Sequence, residues 1–188
     1  MDIIFIAVMA YIGTNIDDIF ITTLLFGTAG TSTDRGGIVA GRYLGTFTLL
    51  GISLLGAKGV QTAIGQYSHL LGAIPLAMGL SAAYSRIKHK DEKKENTPQV
   101  SGSVMISTAM MTIASGGDNI GVYIPLLAGA DTGKLAVFTA VFGVMTAVWC
   151  FVSYHISSAY LMKSVLEKHK NAIVPAIYIL LGLYVLFI

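Results

Sequence analysis

One strongly charged stretch divides the chain, and it reads RIKHKDEKKENTP at residues 86–98. It contains five basic and three acidic residues. Charged side chains at this density are too costly to place in hydrocarbon, so we interpret the stretch as a solvated linker. The chain is predominantly apolar on both sides of it. The linker therefore separates two halves of similar length.

The composition identifies lipid as the solvent for most of the 188 residues. Hydrophobic residues make up 54% of the chain and charged residues 12%, with a mean hydropathy of +0.72. Soluble domains carry about 25% charged residues, so this composition excludes an ordinary soluble enzyme. The net formal charge of +2 is too small to favour a nucleic-acid partner, and we expect none.

Six apolar stretches are long enough to cross a bilayer, which requires about 20 helical residues. They cover residues 3–28, 37–57, 66–86, 103–129, 134–157 and 171–188. Continuous apolar runs indicate helices, because the strands of a membrane barrel alternate apolar and polar residues. The sequence therefore predicts an all-α membrane protein with six transmembrane helices. The expected division is a first three-helix repeat at 1–86, a cytoplasmic charged linker at 87–102 and a second, inverted three-helix repeat at 103–188.

The distribution of basic residues predicts the orientation in the membrane. With six spans, ten of the twelve lysine and arginine residues fall on the side of the charged linker. Only Lys58 and Lys134 fall on the other side. Because positively charged loops remain in the cytoplasm, we expect a cytoplasmic linker and both termini outside.

Two short polar elements inside the first and fourth apolar stretches resemble each other. The first is TNIDDI at residues 14–19, and the second is SGGDNI at residues 115–120. A proline lies 58 residues after the first aspartate of the first element and 57 residues after the aspartate of the second. Since each half contains an odd number of spans, the two repeats must have opposite orientations. This is the inverted-repeat arrangement of many secondary transporters.

The acidic residues of the two elements indicate an ion-binding function. A carboxylate at mid-membrane costs about 2.5 to 3.5 kcal/mol on insertion scales, and Asp17, Asp18 and Asp118 lie at that depth. A protonated acid bonded to a neighbouring helix is the structural alternative. Antiparallel stretches crossing at mid-depth would bring Asp17 or Asp18 opposite Asp118. The predicted metal ligands are Thr14, Asn15, Asp17, Asp18, Ser115, Asp118 and Asn119.

The charge of this predicted site favours a divalent cation over a monovalent one. Metal ligands must be deprotonated, so metal binding expels protons and protonation expels the metal. Export of a cation against an inside-negative potential costs about 2.3 kcal/mol per charge per 100 mV, and two entering protons cancel that cost for a dication. We therefore expect a secondary active exporter working by proton antiport. We expect no catalytic residue and no resident cofactor.

Glycine and proline near the second element predict a weakened helix. Gly116 and Gly117 directly precede Asp118, and Pro125 follows it by seven residues. A weakened helix exposes backbone carbonyl groups, which are further ligands for a cation. Close packing against a neighbouring helix is an equally good explanation of the glycines.

The elements NIDD at 15–18 and GGDNIGVYIPL at 116–126 resemble the cadmium resistance transporter (CadD) family of the lysine exporter (LysE) superfamily. The resemblance extends over essentially the whole chain. It implies a multi-pass exporter of Cd²⁺ in a bacterial plasma membrane, without an ATPase partner. It also implies that Asp17, Asp18, Asp118 and Asn119 handle the ion.

Several alternatives remain open at this point. Oxygen ligands by themselves suit Mn²⁺ or Ca²⁺ better than Cd²⁺, so the choice of Cd²⁺ rests on the resemblance. Export of an amino acid or another organic cation would use the same acids. An intramembrane aspartyl protease is disfavoured because SGGD departs from its Gly-x-Gly-Asp pattern. Composition does not separate a transporter from a cation channel.

Three further features have competing interpretations. We interpret Arg42 as a side chain that reaches the membrane interface, with pairing to Asp17 or Asp18 as the alternative. We interpret Cys150 as a small buried hydrophobic residue and not as a thiolate ligand. The pair Gly41 and Gly45 predicts a packing face, within the bundle or between subunits. The small size of the chain permits a homodimer.

Overall fold

The computed structural model describes residues 3–88, 103–157 and 175–187 of the protein, and every regular element in these ranges is a helix. This confirms the predicted all-α class. The predicted linker lies outside the described residues from residue 89 onward. The helices are α1 (Ile3–Asn15), α2 (Asp18–Thr28), α3 (Ser32–Ile64), α4 (Ala73–Lys88), α5 (Val104–Ser115), α6 (Gly117–Leu127), α7 (Thr132–Ile156) and α8 (Pro175–Leu186), with a 3₁₀ helix at Gly65–Gly72.

Helix length and composition identify fewer membrane spans than the six predicted. Among the described residues, α3 and α7 are each long and apolar enough to cross a membrane. The pair α1 and α2 satisfies the same criteria as one broken span, bent by 63°. The helices α5 and α8 are apolar but shorter. The described residues thus contain two or three candidate spans, and the six-span inverted arrangement stays a prediction.

The same order of elements occurs in both halves of the chain. Each half begins with a broken helix, α1–α2 or α5–α6, and continues after a short connection into a long helix, α3 or α7. A side-chain cap marks the start of each long helix: Thr31 forms a capping box with Asp34, and Asp131 accepts a hydrogen bond from the Lys134 amide at 2.7 Å. The repeat inferred from two polar elements therefore extends to the order of the helices.

Each half packs its broken helix against the long helix of the other half. The broken helix of the first half, α1–α2, lies against α7 of the second half. The broken helix of the second half, α5–α6, lies against α3 of the first half. The core between them contains Tyr11, Phe142 and Trp149, whose rings meet edge to face at 5.3 and 5.5 Å. This exchange brings the two helix breaks into the centre of the protein.

Two glycines allow α3 and α5 to approach closely. A Cβ atom at Gly41 would overlap the carbonyl oxygen of Met105 and lie 2.7 Å from Cβ of Thr108. A Cβ atom at Gly45 would lie 2.5 Å from Cβ of Thr112. The predicted small-residue face is therefore a packing face within the bundle. Backbones in such close contact leave no room for a larger side chain.

We expect Gly41→Ala to destabilise the protein by about 1 to 3 kcal/mol, because the added methyl group forces α3 and α5 apart. The matched control is Gly51→Ala on the same helix, where a Cβ atom would have no neighbour within 4 Å. Thermal unfolding in detergent, followed by circular dichroism, measures both effects. Equal unfolding temperatures for the two variants would contradict the close contact.

Candidate ion-binding site

Both predicted polar elements lie at breaks between helices. In the first, α1 ends at Asn15 and α2 begins at Asp18. In the second, α5 ends at Ser115 and α6 begins at Gly117. Helix ends leave backbone amide and carbonyl groups without intrahelical partners, and in an apolar surrounding these groups are suited to bind ions.

The second break lies at the glycines Gly116 and Gly117, as the sequence predicts. Pro125, in contrast, does not end a helix. A Cβ atom at Gly116 would overlap Cδ1 of Leu49 on α3 and lie 2.7 Å from its Cδ2 atom. Glycine therefore both interrupts the helix and admits the neighbouring side chain. Pro125 lies inside α6, near its end. The first break has no glycine or proline, so the sequence gives no comparable signal for it.

Hydrogen bonds join the two breaks directly. The hydroxyl groups of Thr14 and Tyr123 lie 2.7 Å apart, and the Asn15 amide nitrogen donates to the same tyrosine oxygen at 2.9 Å. The Ser115 hydroxyl donates to the Asp18 carboxylate at 3.1 Å. Trp149 on α7 donates to the backbone carbonyl of Asn15 at 2.7 Å. Four of the seven predicted residues, Thr14, Asn15, Asp18 and Ser115, thus take part in one polar centre between the two breaks.

The amide of Asn119 lies where the two breaks meet. One end of this amide is 3.0 Å from the backbone oxygen of Thr14 and 3.1 Å from Oδ1 of Asp118. With the nitrogen at that end, the amide donates to both oxygens. Rotation of the amide by half a turn places its oxygen there instead. In that orientation the amide oxygen faces the oxygen atoms of Thr14 and Asp118, and all three are atoms of a kind that binds hard cations.

Asp118 is held by one further residue, which lies outside the two elements. The hydroxyl of Tyr178 on α8 donates to Oδ2 of Asp118 at 2.6 Å. The backbone amide of Asn119 donates to Oδ1 at 3.0 Å. Sequence reasoning missed Tyr178, because a tyrosine in an apolar helix carries no signal of its partner. The hydroxyl and the amide together hold the half-buried Asp118 carboxylate at the start of α6.

Asp18 forms a buried ion pair with Arg42. Nη1 of Arg42 lies 2.9 Å from Oδ2 of Asp18, and the two residues are 2% and 5% exposed. The same nitrogen donates to the Thr112 hydroxyl at 3.0 Å. The interpretation of Arg42 as an interfacial side chain is therefore wrong. The guanidinium stays inside because Asp18 neutralises it there.

The three carboxyl groups do not form one cluster. Within the described parts of the chain, no group of three or more histidine, cysteine, aspartate or glutamate residues could hold a metal ion. Asp17 is exposed, whereas Asp18 is buried against Arg42. Asp17 lies in the break before α2, whereas Asp18 begins that helix. The expected meeting of all three carboxylates is thus not seen.

Cys150 on α7 is a buried free cysteine. It is 5% exposed and packs in an apolar cluster with Leu25, Phe26 and Ile38. This agrees with its interpretation as a small buried hydrophobic residue. The donors gathered at the two breaks are oxygen and nitrogen atoms.

The chain was compared with known proteins and families. No curated protein and no solved structure gives a significant match. One family model matches residues 11–188, and it describes cadmium resistance transporters. The matched range contains both helix breaks, both long helices and every polar residue described above. The resemblance seen in the sequence is confirmed: the protein belongs to the cadmium resistance transporter family and is a membrane protein of metal-ion efflux.

Proposed function

We propose that the protein exports Cd²⁺ in exchange for protons, at a site formed where its two broken helices meet. The observation that carries this proposal is the position of the Asn119 amide between Thr14 of one half and Asp118 of the other. An amide that contacts two acceptors by its nitrogen offers an oxygen to a cation after rotation. The Asn119 amide would then join the two halves when no cation is bound and would bind the cation when it is present.

The ligands we propose have unequal roles. Asp118, Asn119 and the backbone oxygen of Thr14 bind the cation directly. Asp18 supplies a second carboxylate, which Ser115 contacts from the other half at 3.1 Å. Asn15 orients the site, because its amide nitrogen already donates to Tyr123 and to the backbone oxygen of Tyr11 at 3.1 Å. Asp17 lies at the exposed side of the break, where it attracts the cation.

The charge of the polar centre fits one divalent cation or two protons. With the exposed Asp17 counted, the two breaks carry three carboxylates beside the guanidinium of Arg42, so the formal sum of these groups is −2 when all are ionised. A dication neutralises this charge, and so do two protons. Because the two loads are equal in charge, their exchange moves no net charge across the membrane. The membrane potential then neither drives nor opposes transport.

We propose the following arrangement in the membrane. Six segments cross the bilayer, with α1–α2 and α5–α6 each forming one broken crossing. The linker lies in the cytoplasm and both termini lie outside, as the basic residues predict. The recurring order of broken and long helices supports this arrangement. With opposite orientations of the halves, the two breaks lie at the same depth.

A pH gradient alone is expected to drive metal transport by the wild-type protein. In proteoliposomes, two protons exchanged per dication convert a gradient of about one pH unit into a metal gradient of about 100-fold. A fluorescent Cd²⁺ indicator inside the vesicles measures the gradient. Collapse of the membrane potential with valinomycin and K⁺ should leave it unchanged. A metal flux that follows voltage and ignores the pH gradient would indicate a channel and contradict the exchange.

Export of Mn²⁺ is the second candidate function, and the donor atoms favour it. The proposed ligands are all oxygen atoms, and Cys150 packs among apolar residues. Oxygen ligands suit Mn²⁺, whereas Cd²⁺ prefers sulfur. Competition in vesicles supplied with radiolabelled Cd²⁺ separates the two candidates. Stronger inhibition of label uptake by Mn²⁺ than by unlabelled Cd²⁺ would assign Mn²⁺ as the preferred substrate.

A further inference from the structure

The guanidinium of Arg42 is only partly satisfied by its partners. Nη1 alone contacts both Asp18 and Thr112. Nε and Nη2 are buried and make no hydrogen bond to the described residues. Arg42 is 2% exposed, so bulk solvent does not reach its guanidinium. Two of its donors thus have no partner among the described residues.

A purely structural ion pair would have a different geometry. Arginine binds a carboxylate most strongly through two parallel hydrogen bonds. A buried pair stabilises a fold only when its remaining donors are also satisfied. The pair of Arg42 and Asp18 has a single short contact and two free donors. Its geometry suits a contact that is broken and remade.

Unpartnered hydroxyl groups lie one helical turn from this ion pair. Thr46 follows Arg42 by four residues on α3, and Thr108 precedes Thr112 by four residues on α5. Both are at most 2% exposed, and neither hydroxyl has a hydrogen-bond partner within the described parts of the chain. Residues four apart lie on the same face of a helix. Because Gly41 faces Thr108 and Gly45 faces Thr112, Thr108 lies beside the turn of α3 that carries Arg42, and Thr46 lies one turn further along α3.

The two sides of the ion pair differ in their freedom to move. Arg42 stands between Gly41 and Gly45, at which α3 is in close contact with α5. Its backbone is thus fixed, and only its side chain can change position. Asp18 begins α2 directly after the first helix break, where the backbone is not held by a continuous helix. Separation of the pair therefore requires no displacement of α3.

We propose that Arg42 is a tethered substitute for the transported cation. It binds the Asp18 carboxylate when no metal is present, and the incoming metal displaces it towards the hydroxyls of Thr46 and Thr108. This inference rests on the proposed function, because it assigns Asp18 to the metal. Arg42 is then a positioning residue that acts through Asp18 and competes with the substrate for it.

Such a competitor has two consequences for transport. The buried Asp18 carboxylate keeps a positive partner after the metal has left, so the two protons of the return step are needed only by the other carboxylates. The covalently attached competitor also weakens metal binding, which accelerates release on the far side. Removal of the competitor should therefore tighten metal binding and slow net export. A residue that merely supports the fold would have the opposite effect on affinity.

The test compares Arg42→Gln and Arg42→Lys with the wild type in titration calorimetry, using CdCl₂ and purified protein at one fixed pH. We expect Arg42→Gln to bind Cd²⁺ about tenfold more tightly and to export it about tenfold more slowly. Arg42→Lys keeps the positive charge but lacks the planar set of guanidinium donors. We expect it to bind Cd²⁺ about threefold more tightly than the wild type. The control is Arg35→Gln on the same helix, which removes an exposed contact to Tyr154 and should match the wild type.

Each outcome of this test is informative. Unchanged or weaker Cd²⁺ binding by a folded Arg42→Gln protein overturns the competition. If that variant does not fold, wild-type affinity in Arg42→Lys overturns it instead. Absence of Cd²⁺ binding by the wild type contradicts the proposed function itself. Normal binding and exchange by the wild type, without tightening in either variant, contradicts only the role of Arg42.

Discussion

Replacement of Asp118 by asparagine is expected to lower the initial rate of Cd²⁺ export about 100-fold. The substitution preserves the shape of the side chain and removes its negative charge. Each hydrogen bond or contact to a charged group contributes about 1.5 to 3 kcal/mol, and the cation loses such a contact. The charge balance also changes, since the variant has one negative charge fewer to neutralise a bound dication. Both effects act on the same transport step.

Proteoliposomes containing equal amounts of protein provide the measurement for Asp118→Asn. The matched control is Asp131→Asn, because Asp131 is exposed and caps α7 through a single hydrogen bond. Asparagine is an equally good capping residue, so the control should export Cd²⁺ at the wild-type rate. Export by Asp118→Asn at the rate of this control would remove Asp118 from the site.

Replacement of Asp18 by asparagine is expected to destabilise the protein by about 3 to 5 kcal/mol. The loss arises because Arg42, which is 2% exposed, keeps its charge and loses the charge of its partner. Export should be lost as well, since Asp18 is the proposed second carboxylate. The double variant Asp18→Asn/Arg42→Gln contains neither charge. We expect it to recover most of the stability and none of the export.

Thermal unfolding in detergent distinguishes these variants, and Asp131→Asn again serves as the control. The coupling between the two substitutions should exceed about 1 kcal/mol, as for residues in direct contact. Additive losses in the double variant would show that the two charges do not depend on each other. Recovery of export in the double variant would contradict the role of Asp18 as a ligand.

The sequence predicted the helices and the polar elements because their signals are local. Long apolar runs specify helices in lipid, and Gly116 specifies the second break through its missing side chain. The first break was not predictable in this way. It contains Asn15 and Asp17, and neither residue has the strong helix-breaking effect of proline or a glycine pair. Its position depends on partners such as Trp149, which lies 134 residues away in the chain.

The partners of the acidic residues were the least predictable part of the site. Tyr178 lies 60 residues from Asp118 in the sequence, and only the packing of α8 brings it there. The inward position of Arg42 depends in the same way on Asp18 and on the close contact with α5. The exposure of Asp17 was not predictable either, because this residue lies in the break itself, where the periodicity of a helix does not apply.

The ion pair of Asp18 and Arg42 has a consequence for biosynthesis. Both residues belong to the first half, so they leave the ribosome and enter the bilayer before α5 has been translated. A carboxylate and a guanidinium that meet early enter hydrocarbon as a neutral unit, which is far less costly than two separate charges. The later half then supplies Thr112 and Ser115 to a pair that already exists. The two residues to which we assign a role in transport would thereby also assist insertion of the chain.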